Sequence, residues 1–155
     1  MKKSENRVYL RISNFSFDPK KITEMLNILP EETFKKGDIV ERPRRKLLRP
    51  YNFWSFLSPL PQTQPIEDHV QKVLEMILPK KDKLVKILEE SEGELGIVSY
   101  IYDDANPGLH LDKIVMKTIA DLGLELDIDL YFFPSLPQLF EAPVVHQSSL
   151  PLCSV

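Results

Sequence analysis

Between Leu124 and Phe133 the chain reads LELDIDLYFF, ten residues that alternate without a break. Leu124, Leu126, Ile128, Leu130 and Phe132 fall on one side, and Glu125, Asp127, Asp129 and Tyr131 on the other. A helix would scatter the three carboxylates around its circumference. Only the two-residue period of a strand collects them on one face. The expected strand has a greasy side against a core and a hydrated side bearing its anions, so at least one face of its sheet stays in water.

The remaining elements are read against that strand. In VYLRIS, Val8, Leu10 and Ile12 alternate with Tyr9, Arg11 and Ser13, which predicts a first strand. Asp18-Pro19 opens a short helix through Ile22, Met25, Leu26 and Leu29, stopped by Pro30. Two extended segments follow at about 35–42 and 51–58, the second holding the aromatic run YNFWSF. Pro43 and Pro50 bias the basic run between them away from helix and towards a long hairpin loop. From Pro65, the stripe Ile66, Val70, Val73, Leu74 and Ile77 breaks at Pro79 and resumes at Leu84, Ile87 and Leu88, predicting a kinked helix or two helices. LGIVSYIY (95–102) is apolar on both faces and reads as a central strand. A helix capped by Asp112 and stopped by Gly123 then leads into the acidic strand.

The order β-α-β-β-α-β, followed by α-β, predicts an α+β fold. Its plan is a ferredoxin-like core extended by one further α-β unit, with a mixed sheet and helices mainly on one face. One domain over 1–133 is expected, with 43% hydrophobic residues across the chain sufficient to fill its core. Residues 134–155 differ, with four prolines and no Lys or Arg. This apolar tail suits draping over its own domain, gripping a partner, or pairing two copies in a homo-oligomer. Nothing approaches the ~18 apolar residues of a membrane span, and no signal-peptide pattern opens the chain. Cys153 is the only cysteine, so a reducing, cytoplasmic setting and no membrane partner are expected.

The succession DPKKITEMLNILPEETFKKGD, the isolated Trp54 in NFWSF, PIEDHVQKVLEMI, and LHLDKIVMKTIADLGLELDIDLYFF resembles the bacterial family catalogued as domain of unknown function 4279. The resemblance runs over roughly residues 8–133. It implies a compact bacterial α+β domain and assigns no catalytic residue.

Two constellations are candidate sites. The first is the basic run, Arg42, Arg44, Arg45, Lys46 and Arg49 with Lys35 and Lys36 upstream, followed by Tyr51, Phe53 and Trp54. Cations would neutralise phosphates and rings would stack on unpaired bases, which is the chemistry of single-stranded nucleic-acid binding. The overall charge of -3 and the absence of RNP-like or helix-turn-helix patterns oppose this, and strand aromatics at period two ordinarily serve a core. The second is Glu125, Asp127 and Asp129, successive carboxylates ~7 Å apart, a spacing at which two would share acid-base work or hold a cation. Such chemistry needs desolvation, whereas alternation predicts a wet face on which Arg11 or lysines from neighbouring strands pair across to them.

The loop 103–112 fails the calcium-loop template, and His69, His110 and His146 lack the paired spacings of zinc ligands. No nucleophile elbow, P-loop or dinucleotide fingerprint is present, so no cofactor is expected. Charge is unevenly spread: seven Lys or Arg lie in 35–50 and eleven Asp or Glu in 87–129. The resulting expectation is a non-catalytic domain that binds another protein through surfaces of opposite sign, as an immunity or accessory protein would. A single-stranded nucleic-acid binder and an enzyme or metal-binding protein built on the acidic strand are the alternatives.

Overall fold

The computed structural model describes residues 3–43, 45–103, 106 and 108–134, with the side chain of Arg42 left aside. The candidate Arg44 and the tail beyond Pro134 therefore lie outside the described residues.

The chain runs β1 (Glu5–Ser13), α1 (Lys20–Leu26), β2 (Glu32–Phe34), β3 (Ile39–Arg42), β4 (Arg45–Leu48), β5 (Phe53–Leu57), α2 (Ile66–Ile77), α3 (Lys81–Leu88), β6 (Glu92–Tyr102), α4 (Lys113–Asp121) and β7 (Glu125–Phe133). Five strands form one sheet in the order β2-β5-β1-β6-β7. Neighbours are antiparallel except β6 and β7, which run parallel, as a crossover through α4 allows. The sheet is mixed and the class α+β. Strands β1 and β2, joined through α1, are separated in the sheet by β5, which makes the first βαβ a split unit.

Alternation sets the faces. Val8, Leu10 and Ile12 of β1 are fully buried, and their cross-strand partners Ile97, Leu95, Phe56 and Trp54 join them on the helix side. Against them lie Ile22 and Leu26 of α1, the stripe Ile66, Val70, Val73, Leu74 and Ile77 of α2, Leu84 and Ile87 of α3, and Ile119 of α4. Each such side chain contributes ~1.5–3 kcal/mol by leaving water. The proline-interrupted stripe folds as two helices, joined by one 3-10 turn at Leu78–Lys80. Asp112 caps α4 by accepting from the Ile114 and Val115 N–H groups at 2.7 and 2.8 Å. Gly123 then turns the chain at φ +74° into β7.

Three expectations are corrected. The basic run is not an unstructured hairpin loop: Arg45–Leu48 pairs antiparallel with Ile39–Arg42 in a two-stranded sheet of its own, Arg42 opposite Arg45. Pro43 and Pro50 only bracket β4, leaving its four backbone donors intact. The strand on the outer side of β5 is Glu32–Phe34, a three-residue element outside the predicted extended segments. Third, the apolar side of β7 is not sealed: Leu126, Ile128, Leu130 and Phe132 stay 41, 38, 46 and 64% exposed. The buried positions of the helices concentrate over β1, β5 and β6, so β7 gains little cover beyond Leu124, which is buried.

Two polar groups of the core are tied down. Asn6 accepts from Ser99 Oγ at 2.7 Å and donates through Nδ2 to the Gln64 carbonyl at 2.8 Å, fastening the loop before α2 to the sheet end. His69, 1% exposed on α2, lies with Nδ1 2.9 Å from Ser58 Oγ. Burial pushes its pKa below the ordinary value, partly offset by the Pro61 backbone. A depressed histidine leaves the unfolded chain binding more protons below its own pKa of ~6.5, so stability is full above that pH, falls as acid protonates the unfolded chain, and levels off once the folded histidine protonates as well. Urea unfolding between pH 7.5 and 5 should show stability falling with pH below about 6.5. His69→Gln should flatten that acid limb; an unchanged pH profile would exclude His69 as its source.

Candidate functional site

The face of the sheet opposite the helices carries the alternate residues: Tyr9, Arg11 and Ser13 of β1, Phe53 and Ser55 of β5, Glu92, Glu94 and Gly96 of β6, Glu32 and Phe34 of β2. With Arg49 and Tyr51 leading into β5, and Glu125 from β7, they line an open cleft of about 470 Å³. It draws on residues more than a hundred positions apart in the chain, because β1 sits at the centre of the sheet and β2 and β7 at its edges.

Two guanidinium groups organise the cleft. Arg11 donates through Nη1 to Glu94 at 2.8 Å, lies 3.8 Å from Asp127, and stacks 4.9 Å over the Tyr9 ring. It rests on Gly96: a Cβ there would stand 2.7 Å from Arg11 Nη1, so any larger residue would displace the guanidinium. Arg49 lies 3.9 Å over the Phe34 ring and donates to Glu32 at 3.1 Å. Phe34 in turn stacks on Phe53 at 4.7 Å and tilts against Tyr51 at 6.0 Å. The far end of the same face holds a second aromatic group, with Tyr100 stacked on Tyr131 and Tyr102 on Phe133, and Arg7 over Tyr100.

The charge sum of the cleft is set by its lining. Arg11 and Arg49 meet Glu32, Glu92, Glu94 and Glu125, so carboxylates outnumber guanidiniums. Such a surface repels phosphates and attracts a cationic or zwitterionic partner.

Against this geometry the sequence candidates separate. Glu125, Asp127 and Asp129 do share the open face, Asp127 half-exposed and pairing with Arg11 as the alternation suggested. Trp54 is fully buried on the helix side, where its Nε1 donates to Thr23 Oγ1 at 3.0 Å, so it offers no ring for stacking. Arg49 and Tyr51 belong to the cleft rather than to a basic loop. Lys35 is paired with Asp18, whose carboxyl that hydrogen bond holds below its usual range. Arg45 and Lys46 remain exposed on the β3–β4 arm, Lys46 with Glu41 at 3.2 Å, an exposed pair of small energetic weight.

The arm projects from the domain. Gly37 N donates to Arg49 O and Arg49 N to Asp38 O, both at 2.8 Å, which closes its base. Beyond that, β3 and β4 pack chiefly on each other, leaving the cross-strand neighbours Ile39 and Leu48 61 and 69% exposed. Tyr9, Phe34 and Glu94 were not singled out as site residues from sequence. The available signal was Gly96, a glycine inside a strand, which marks a close approach from a neighbour.

Among the described residues no three His, Cys, Asp or Glu side chains come together as metal ligands. Ser58 and His69 have the contact of a nucleophile and its base, but both are sealed in the core and reach no substrate. No curated protein and no solved structure matches the chain. The family model described as domain of unknown function (DUF4279) matches residues 4–133, covering every element from β1 to β7, and the chain belongs to that family.

Proposed function

We propose that this is a cytoplasmic, non-catalytic protein-binding module of a bacterium, of the immunity or accessory kind, which grips its partner with the arm and the open sheet face. The observation that carries the reading is the arm. A two-stranded hairpin is marginal alone in water, and this one holds Ile39 and Leu48 side by side in solvent. A protein surface closing over them would recover up to ~1.5–3 kcal/mol for each side chain. Exposed Arg45 and Lys46 near the tip and the acidic cleft behind suit a partner with charges of both signs. No helix among the described residues is long and apolar enough to cross a membrane.

Affinity capture from a native host lysate tests the reading. The chain should retain a partner protein that the Ile39→Ser, Leu48→Ser variant loses at unchanged circular dichroism, because neither residue touches the core. Identical captured sets would remove the arm from the contact surface. The nucleic-acid reading rests on Arg45 and Lys46 being exposed. Retention on a single-stranded oligonucleotide at low salt, lost in Arg44→Glu with Arg45→Glu, would put it first. The acidic-strand reading has the least support, since the Arg11 guanidinium already sits 3.8 Å from Asp127, where a metal's charge would have to go.

A further inference from the structure

We propose that β7 is a docking edge that takes up an extended segment of the partner as a sixth strand, and that this segment alternates basic with apolar side chains. The inference rests on the protein-binding reading and deepens it. β7 ends the sheet: β6 pairs with one side, and among the described residues no strand occupies the other. Its nine residues contain no proline, no lysine and no arginine, the usual guards of an exposed edge. Leu126, Ile128, Leu130 and Phe132 stay 38–64% exposed on the helix side, a contiguous row of apolar side chains of the kind that contact sites use.

Charge selects the occupant. On the open side of the same strand stand Glu125, Asp127 and Asp129, of which, among the described residues, only Asp127 forms an ion pair, with Arg11 at 3.8 Å. An added strand puts its side chains directly beside these, alternating between the two faces. Residues facing the carboxylates are therefore best as Lys or Arg, and those facing Leu126, Ile128 and Leu130 best as apolar. A second copy of this chain meets the opposite condition: two β7 edges side by side would crowd six carboxylates along one face with no basic residue on either strand.

The test uses a nine-residue peptide alternating valine with lysine, added to the full chain and read by the backbone amide signals of residues 125–133. Shifts concentrated on β7 are expected. They should vanish for the same peptide N-methylated at every residue, which keeps charge and apolar side chains but removes the backbone donors of both edges. Asp127→Lys with Asp129→Lys should reverse the preference to a valine–glutamate peptide. Shifts spread over the acidic surface, equal binding of the N-methylated peptide, or concentration-dependent self-association through β7 without peptide would each overturn the proposal. The readout is independent of the arm, so a negative result here leaves the capture experiment standing, and an arm variant that captures the same proteins leaves this one standing.

Discussion

Trp54→Ala should lower folding stability by about 3–5 kcal/mol, the cost of deleting a large aromatic from a packed core. The residue is fully buried between β5 and α1, and its indole donates to Thr23 Oγ1 at 3.0 Å. Loss of volume and loss of the hydrogen bond are separable. Trp54→Phe keeps much of the volume, and Thr23→Val keeps the ring while removing the acceptor, a change of about 1 kcal/mol. Urea unfolding followed by far-ultraviolet circular dichroism measures all three, since the two Trp54 variants lack the tryptophan signal. An alanine variant within 1 kcal/mol of the wild type would mean that the aromatic does not hold α1 against the sheet.

The second large effect runs the other way, through too much volume. Gly93 begins the buried face of β6, and a Cβ built there would stand 2.6 Å from Leu88 Cδ2 and 2.8 Å from Leu124 Cδ2. Those leucines end α3 and precede β7, so the glycine is where helix, central strand and edge strand meet. Gly93→Ala should cost roughly 1–3 kcal/mol and Gly93→Val at least the top of that range, as overpacked cores do. Adding Leu88→Ala to Gly93→Val should restore part of the loss. Neighbours that share one space couple in this way, so purely additive effects would show that the crowding is not between these two residues.

Much of this architecture was legible because local chemistry and tertiary need agreed. The alternation in 124–133, the Asp112 cap and the Gly123 stop each name their own geometry, and β7 and α4 stand where they were expected. Arg11 pairing across to the acidic strand also followed from alternation, since both share the open face. What failed depended on distant partners. YNFWSF announces a strand but not which ring turns inward; β1 and α1 decide that Trp54 does. Prolines suggested a loop for the basic run, yet pairing of Arg45–Leu48 with Ile39–Arg42 needs only the donors between them. The apolar side of β7 looked like core by composition, and its exposure reflects where the helices settle. The cleft was least legible, because residues from Tyr9 to Glu125 become neighbours only once the sheet is ordered.

The closed base of the arm separates it from the sheet. The chain leaves at Gly37 and returns at Arg49 through two short backbone bonds, while the stack of Arg49 on Phe34 locks the junction from the cleft side. Everything beyond that clasp behaves as a replaceable cassette. Substitutions at its exposed Ile39 and Leu48 should therefore leave the stability of the five-stranded sheet unchanged.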